Sequence, residues 1–260
     1  MPRRYRSLTA AAAAKAGAAV CDDRSMGTGT GRRVGRPRAA QRPESGLSAR
    51  EELLAAAAEL FTVRGYAATS TRAVAERAGM RQATMYHYFG GKEDLLAELL
   101  EGTVTPSLLL ARALLADGGD APAEARLWRL CRSDVELLCG GPHNLGSLYL
   151  LPEVRTERFA GFSRMRGELK AAYGRLLAAA KSSALWDEDE LALRNDLVFG
   201  LIEGVILIHR SGPERPVPAF ASATADAALR VAGVREEELA AVREAAGLLP
   251  CRAAGPPPGG

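Results

Sequence analysis

Aromatic residues are scarce in this chain, with Phe, Trp and Tyr making up 5% of 260 residues. β-branched residues are sparse too, while Ala and Leu dominate. A sheet needs branched and aromatic side chains on its pleated faces, so this composition points to an all-helical protein. Histidine occurs three times, as His87, His143 and His209, which leaves little material for metal or triad chemistry. No GxSxG, HExxH or catalytic carboxylate pair is found, and an enzyme, a cofactor and a metal site are not expected. The four cysteines, Cys21, Cys131, Cys139 and Cys251, form no CxxC pair and no zinc spacing. Cys131 and Cys139 stand eight apart on an expected helix, either as two small core residues or as a redox pair. Long apolar runs are also missing. The strongest, Leu197–Ile208, has 12 residues and contains Glu203, short of the ~20 that span a bilayer. Ala10–Val20 is mostly alanine, broken by Lys15, and does not read as a secretory signal. The expectation is a cytoplasmic protein with no membrane partner.

The charge is unevenly placed. Net charge is +3, yet residues 1–47 hold ten Lys and Arg against three Asp and Glu, leaving the remainder mildly acidic. Residues 1–46 are rich in Ala, Gly, Arg and Pro without helical periodicity and are expected to be a disordered basic arm. Within it, Gly35-Arg36-Pro37-Arg38 offers Arg36 and Arg38 on a restricted backbone that suits a narrow minor groove. The plain alternative is a solvated basic tail. Met26 stands just before this motif and is an alternative translation start to Met1.

Local signals then divide the chain. Ser48-Ala49-Arg50-Glu51 is a capping box that opens a first helix. Leu53, Leu54, Ala57, Leu60 and Phe61 follow on one face, and Gly65 stops it. Thr69-Ser70-Thr71 opens a second helix, which puts Val74, Ala75 and Ala78 inward and ends at Gly79. A third, from about Arg81 to Tyr88, is anchored by Met85. Gly90-Gly91 breaks the chain before a longer helix from Lys92, with Leu95, Leu96, Leu99 and Leu100 on one face. Further helices are expected over Pro122–Cys139, Glu157–Lys181, Glu188–His209, Ala219–Ala232 and Glu236–Ala246. Breaks fall at Asp117-Gly118-Gly119, Gly140-Gly141-Pro142, Ser182-Ser183 and Ser211-Gly212-Pro213. The boundaries follow: arm 1–46, head 47–107, helical body 108–248, and a Gly/Pro-rich tail 249–260.

The run Gly79-Met80-Arg81-Gln82-Ala83-Thr84-Met85-Tyr86-His87-Tyr88-Phe89-Gly90-Gly91-Lys92 says most about function. A very short helix with polar and aromatic side chains, set between glycine breaks, must be held by its neighbours. That is how a helix-turn-helix presents side chains to DNA. From about Leu47 to Thr105 the chain resembles the DNA-binding domain of the TetR family (tetracycline-repressor-like). The positions in register are Ala57, Leu60, Phe61, Gly65, Tyr66, Thr69, Val74, Ala75, Ala78, Gly79, Thr84, Tyr86, Tyr88, Phe89, Lys92, Glu93 and Leu96. The resemblance implies an all-α fold, with a three-helix helix-turn-helix head joined to a helical ligand-binding and dimerisation domain. It implies a helix-turn-helix over Ser70 to Phe89, with Arg81–Tyr88 in the major groove. Gln82 could then pair bidentately with adenine and Arg81 fork onto guanine, while Ala83 and Thr84 meet a thymine methyl. Arg72 would reach a base edge or a phosphate. Thr71, Tyr86, Tyr88 and Lys92 would hold phosphates, Lys92 beside a helix N-terminus that also favours an anion. His87 is either a further contact or a plain surface residue. One departure stands out: the family usually has a small polar residue where this chain has Arg81, which cannot cap the helix. Phe89-Gly90-Gly91-Lys92-Glu93 lacks the upstream glycine and following Ser/Thr of a nucleotide loop.

The resemblance also implies a homodimer built from the last two major helices. Leu197–Ile208 is apolar nearly all round and needs cover on several faces. Phe199, Gly200, Gly204 and Ile208 form the expected interface, the glycines permitting close approach. An ordinary core helix is the alternative. Family members enclose a small-molecule pocket between the connecting and middle helices, and the candidate lining is Trp128, Leu137, Asn144, Tyr149, Phe159, Phe162 and Met165. The same residues could be plain core. The expected partners are double-stranded DNA, a second copy and a small-molecule effector. The expected activity is operator binding by a repressor that its effector releases. The alternative is an architectural DNA-binding protein of low sequence specificity.

Overall fold

The computed structural model describes residues 46–116, 121–212 and 214–250. Arg36 and Arg38 of the arm, Met26, Cys21, Cys251 and the break at Asp117-Gly118-Gly119 lie outside the described residues. Among those described, every regular element is helical.

Helix α1 spans Ala49–Val63. Ser48 Oγ accepts from the Glu51 amide at 3.3 Å, and the Glu51 carboxylate accepts from the Ser48 amide at 2.8 Å. Together they satisfy two amides that the helix start leaves open. Gly65, at φ +94°, turns the chain out of α1 in a conformation that a side chain would strain. The Thr69 hydroxyl then donates to the Gly65 carbonyl at 2.8 Å, capturing an acceptor past the helix end. Helix α2 spans Thr71–Arg77 and is capped by Ser70, whose Oγ accepts from the Ala73 amide. Gly79, at φ +69°, makes the tight turn into α3, Gln82–Tyr86. This helix is shorter than the predicted Arg81–Tyr88. Arg81 contributes no side-chain cap, and His87 and Tyr88 belong to a closing turn in which the Phe89 amide reaches the Met85 carbonyl.

Helix α4, Lys92–Ala116, leaves the head and runs into the body with Pro106 inside it. By length and composition it could cross a bilayer, but half of its most apolar window is buried in the protein, as in a core helix. Leu95, Leu96, Leu100 and Leu114 are fully covered.

The body is built around α5, Ala123–Cys139, which packs against α4, α6 (Ala160–Ala178), α7 (Glu188–Ser211), α8 (Val217–Val231) and α9 (Leu239–Gly247). Cys131 and Cys139 are buried, free thiols on it. Between α5 and α6 the chain makes 3₁₀ turns at Leu145–Leu150, Pro152–Arg155 and Glu157–Phe159. The first of these packs on α4, α7 and α1, so a segment of the body touches the head. The predicted helix Glu157–Lys181 is shorter at both ends. It begins with a 3₁₀ turn, and after Ala178 the Ser183 hydroxyl takes the Ala178 and Ala180 carbonyls at 2.7 Å, drawing the chain into another. The predicted helix Glu236–Ala246 likewise opens as a 3₁₀ turn, Glu236–Glu238.

Candidate DNA interface and internal cavity

Met85 is fully buried and pins α3 to the head; Phe89 is buried beside it. Five residues of the helix and its closing turn, Gln82, Ala83, Tyr86, His87 and Tyr88, are exposed, as is Arg81 before it, while Thr84 is half-buried. The Gln82 amide nitrogen lies 3.0 Å from Thr71 Oγ1 and 3.5 Å from the Tyr86 hydroxyl. Thr71 and Tyr86 are 3.3 Å apart. This triangle ties α2 to α3 and holds the Gln82 amide on the outer surface. Arg72 pairs with Glu76 at 2.8 Å where both are mostly exposed. Such a pair is worth little and is easily exchanged for a phosphate.

Lys92, expected to hold a phosphate, also makes contacts within the head. Its ammonium donates to the Tyr66 carbonyl at 3.1 Å and the Thr69 carbonyl at 3.4 Å, and sits 4.3 Å from the centre of the Tyr66 ring. It clips the α1–α2 turn onto the start of α4. Of three ammonium donors, one remains for an outside partner.

The body holds a cavity between α4, α5, α6, α7 and the Leu145–Leu150 turn. About 280 Å³ of empty space, part of it open to solvent, is lined by Thr103, Val104, Asp134, Leu138, Tyr149, Arg166, Leu169, Phe199, Ile202 and Glu203. Of the seven residues expected to line it, Tyr149 does; its hydroxyl bonds Thr103 on α4 and its ring lies 5.0 Å from Phe162. The other six do not line this cavity. Trp128 is buried on another side of α5, where its Nε1 donates to Asp226 at 2.9 Å. Asn144 is turned to α7 and donates to the Ile206 carbonyl at 2.9 Å. Phe159 and Phe162 are core, and Leu137 and Met165 are half-buried outside the cavity.

The polar lining was missed because buried charges on helices look, in sequence, like solvated positions. Glu203, interrupting an apolar run, was the available signal. It forms a forked pair with Arg166, whose guanidinium lies 5.3 Å from the Phe199 ring centre. Asp134 is 4% exposed. It accepts from Ser107 at 2.6 Å and Tyr173 at 3.0 Å. Burial pushes its carboxyl up from 3.8 to about 6, against the pull of those two hydroxyls. The folded protein therefore holds this proton more tightly than the unfolded chain does. Stability from protonated Asp134 is present below about pH 4 and is lost as pH rises through about 6. Asp134→Asn is expected to melt higher than the parent at pH 7, by at most about 3 kcal/mol, with the gain gone at pH 4. Equal melting differences at both pH values would contradict the shift.

On α7 the outward stripe consists of Leu193, Leu197, Gly200, Gly204, Leu207 and Ile208. The leucines are about half exposed, Ile208 is 43% exposed, and a Cβ on either glycine would meet nothing. Phe199 does not belong to this stripe. It faces inward at 4% exposure, with its ring 5.6 Å from that of Tyr173. One residue of offset rotates a helical side chain by about 100°, enough to carry Phe199 from the surface into the core.

A helix-turn-helix head on an all-helical body defines a DNA-binding regulator. The family model described as "Bacterial regulatory proteins, tetR family" matches residues 53–99. The transcriptional repressor KstR2 of Rhodococcus jostii is 32% identical over 157 residues, covering 58% of this chain and 76% of that protein. KstR2 of Mycobacterium tuberculosis is 46% identical over 55 residues, 21% of this chain and 28% of its own length. The crystal structure of Mycobacterium smegmatis AmtR is 44% identical, with a TM-score of 0.70, covering 80% of this chain and 95% of that one. The chain belongs to the TetR family of bacterial transcriptional regulators. It is a regulator and not an enzyme.

Proposed function

We propose that this protein is a homodimeric cytoplasmic repressor that binds a palindromic operator and is released by a small molecule seated in the cavity. The observation that carries the effector reading is Tyr149. It lines the cavity, bonds the connecting helix through Thr103, and sits in the turn that packs against α1 of the head. A ligand that displaces it acts on α4 and the head together. Arg158, in the same stretch of turns, pairs with Asp94 at the start of α4. Binding then favours a state whose two heads no longer match the operator.

In a two-fold dimer the recognition helices fall about 34–36 Å apart, or near whole DNA turns. The outward stripe of α7 supports that pairing. Gln82 and Arg81 read bases, with Ala83 and Thr84 against a thymine methyl. Thr71, Arg72, Tyr86, Tyr88 and the remaining donor of Lys92 meet phosphates, and Arg36 and Arg38 enter the minor groove. Gln82→Ala is expected to cost ~1–3 kcal/mol at one base pair and relax preference there. Lys92→Ala should weaken all sequences and lower the salt slope by about 1. Anisotropy titrations over single-base operator variants and a salt series separate the two. A uniform loss from Gln82→Ala would refute base reading.

The test of the whole reading is a footprint on DNA flanking the gene, at ~150 mM salt with excess competitor. A protected palindrome is the expected result. The basic charge of residues 1–47 favours a second reading, an architectural protein. Binding that competitor abolishes everywhere would select it.

A further inference from the structure

We propose that Thr71 sets base preference without touching a base: it is a positioning residue that, with Tyr86, orients the Gln82 amide for adenine. This rests on reading Gln82 as a base contact. A glutamine amide offers two hydrogens on nitrogen and an acceptor oxygen. Thr71 Oγ1 stands 3.0 Å from the Gln82 nitrogen and takes one hydrogen. Among the described residues the second has only the Tyr86 hydroxyl near it, at 3.5 Å, beyond the usual length of a hydrogen bond. That hydrogen and the carbonyl oxygen are left for a base. Adenine presents the matching edge, an N7 acceptor beside an N6 donor. Guanine and thymine offer acceptors there, and cytosine a donor.

Orientation is the difficulty for such a reader. The terminal torsion of a glutamine is soft, and an inverted amide sets oxygen against N7 and nitrogen against N6. A hydroxyl alone does not prevent this, because it donates as readily as it accepts. The Thr71 hydroxyl, however, is 3.3 Å from that of Tyr86, which is half exposed at the outer surface. A DNA phosphate only accepts. Once Tyr86 gives its hydrogen to a phosphate, its oxygen must accept from Thr71, and Thr71 must in turn accept from Gln82. The three groups then have one polarity, with the Gln82 carbonyl facing the base. The Thr71 hydroxyl thus meets the phosphate through Tyr86 rather than directly. In the groove, where water is displaced, each link strengthens. Ordering the amide in this way lowers the entropy lost on binding.

The experiment is selection by full-length wild type and variants from a pool of DNA duplexes randomised across about two helical turns, with the bound sequences counted. Wild type should enrich an A·T pair at which Gln82→Ala loses preference. Thr71→Val and Tyr86→Phe should each lower preference at that same pair by about 2–10-fold, the worth of one hydrogen bond. Thr71→Ser, which restores the hydroxyl, should keep it. Added to Gln82→Ala, Thr71→Val should alter preference no further, the mark of action through that side chain. Valine keeps the branched shape of Thr71, and the α2 cap belongs to Ser70. Circular dichroism checks folding, and either variant alone carries the test. Equal loss at every pair would overturn the proposal, since a phosphate contact alone predicts it. So would unchanged preference in a folded variant, or a G·C pair at the position Gln82 governs. If instead Gln82→Ala selects the same sequences as wild type, or wild type enriches none, base reading itself fails and the positioning with it.

Discussion

Leu197→Asp is expected to turn the proposed dimer into monomers and lower operator affinity by on the order of 10²–10⁴-fold. Leu197 is 52% exposed on α7, in a stripe with Gly200, Gly204, Leu207 and Ile208. Within one protomer the substitution meets water, so its own folding should change by no more than about 0.5 kcal/mol. At a two-fold interface the same position brings two carboxylates near each other in an apolar seam. Loss of the second half-site then removes the linkage that makes the two heads bind as one. Sedimentation equilibrium reads the assembly, and anisotropy on full and half operators reads the affinity. A dimeric variant with full affinity would place the interface elsewhere. Phe199→Ala, one turn-face away, should instead lower the melting temperature with the assembly retained, because Phe199 packs on Tyr173.

Met85→Ala should be the most damaging single change in the head. Met85 is fully buried and is the buried residue of a five-residue helix. Truncating a buried methionine costs about 2–5 kcal/mol. A helix this short has almost no stability of its own, so the loss falls on the element that reads DNA. Specific and non-specific binding should both collapse, and amide exchange should rise across residues 82–86. In Gln82→Ala, which loses only exposed hydrogen bonds, the melting curve should move far less, while one base preference is lost. The pair of variants separates holding the reading helix from reading with it. Wild-type affinity in Met85→Ala would mean that α3 is organised by other contacts.

The head was readable in the sequence because its signals are local. Ser48 and Glu51 lie three residues apart, and Gly65 and Gly79 mark turns that a side chain would strain. Met85 stands out as the apolar residue among outward polar ones. The body was readable as helices but not as a site. Whether Asp134 faces water or a cavity depends on where α4 and α6 come to lie, and no spacing within α5 states that. The surroundings of Trp128 were hidden for the same reason: its partner, Asp226, is 98 residues away. Lys92 kept its place at the head of α4 but turned its charge inward to carbonyls that only the folded turn brings near. The 3₁₀ turns after α5 carry no periodic pattern, so the segment joining body to head was invisible before the fold was known.

Pro106 gives the connecting helix a mechanical property of its own. Proline has no amide hydrogen, so the Gly102 carbonyl four residues earlier loses its helical donor. The weak point lies beside Thr103 and Val104, the residues through which α4 meets the cavity. From Pro106 back to Lys92 the helix is a rigid arm of about 21 Å. Bending by about 10° at its pivot sweeps the far end through about 4 Å, close to the ~3.4 Å step between neighbouring base pairs. A displacement of atomic size at the pivot is thereby geared up to one full rung of the DNA ladder.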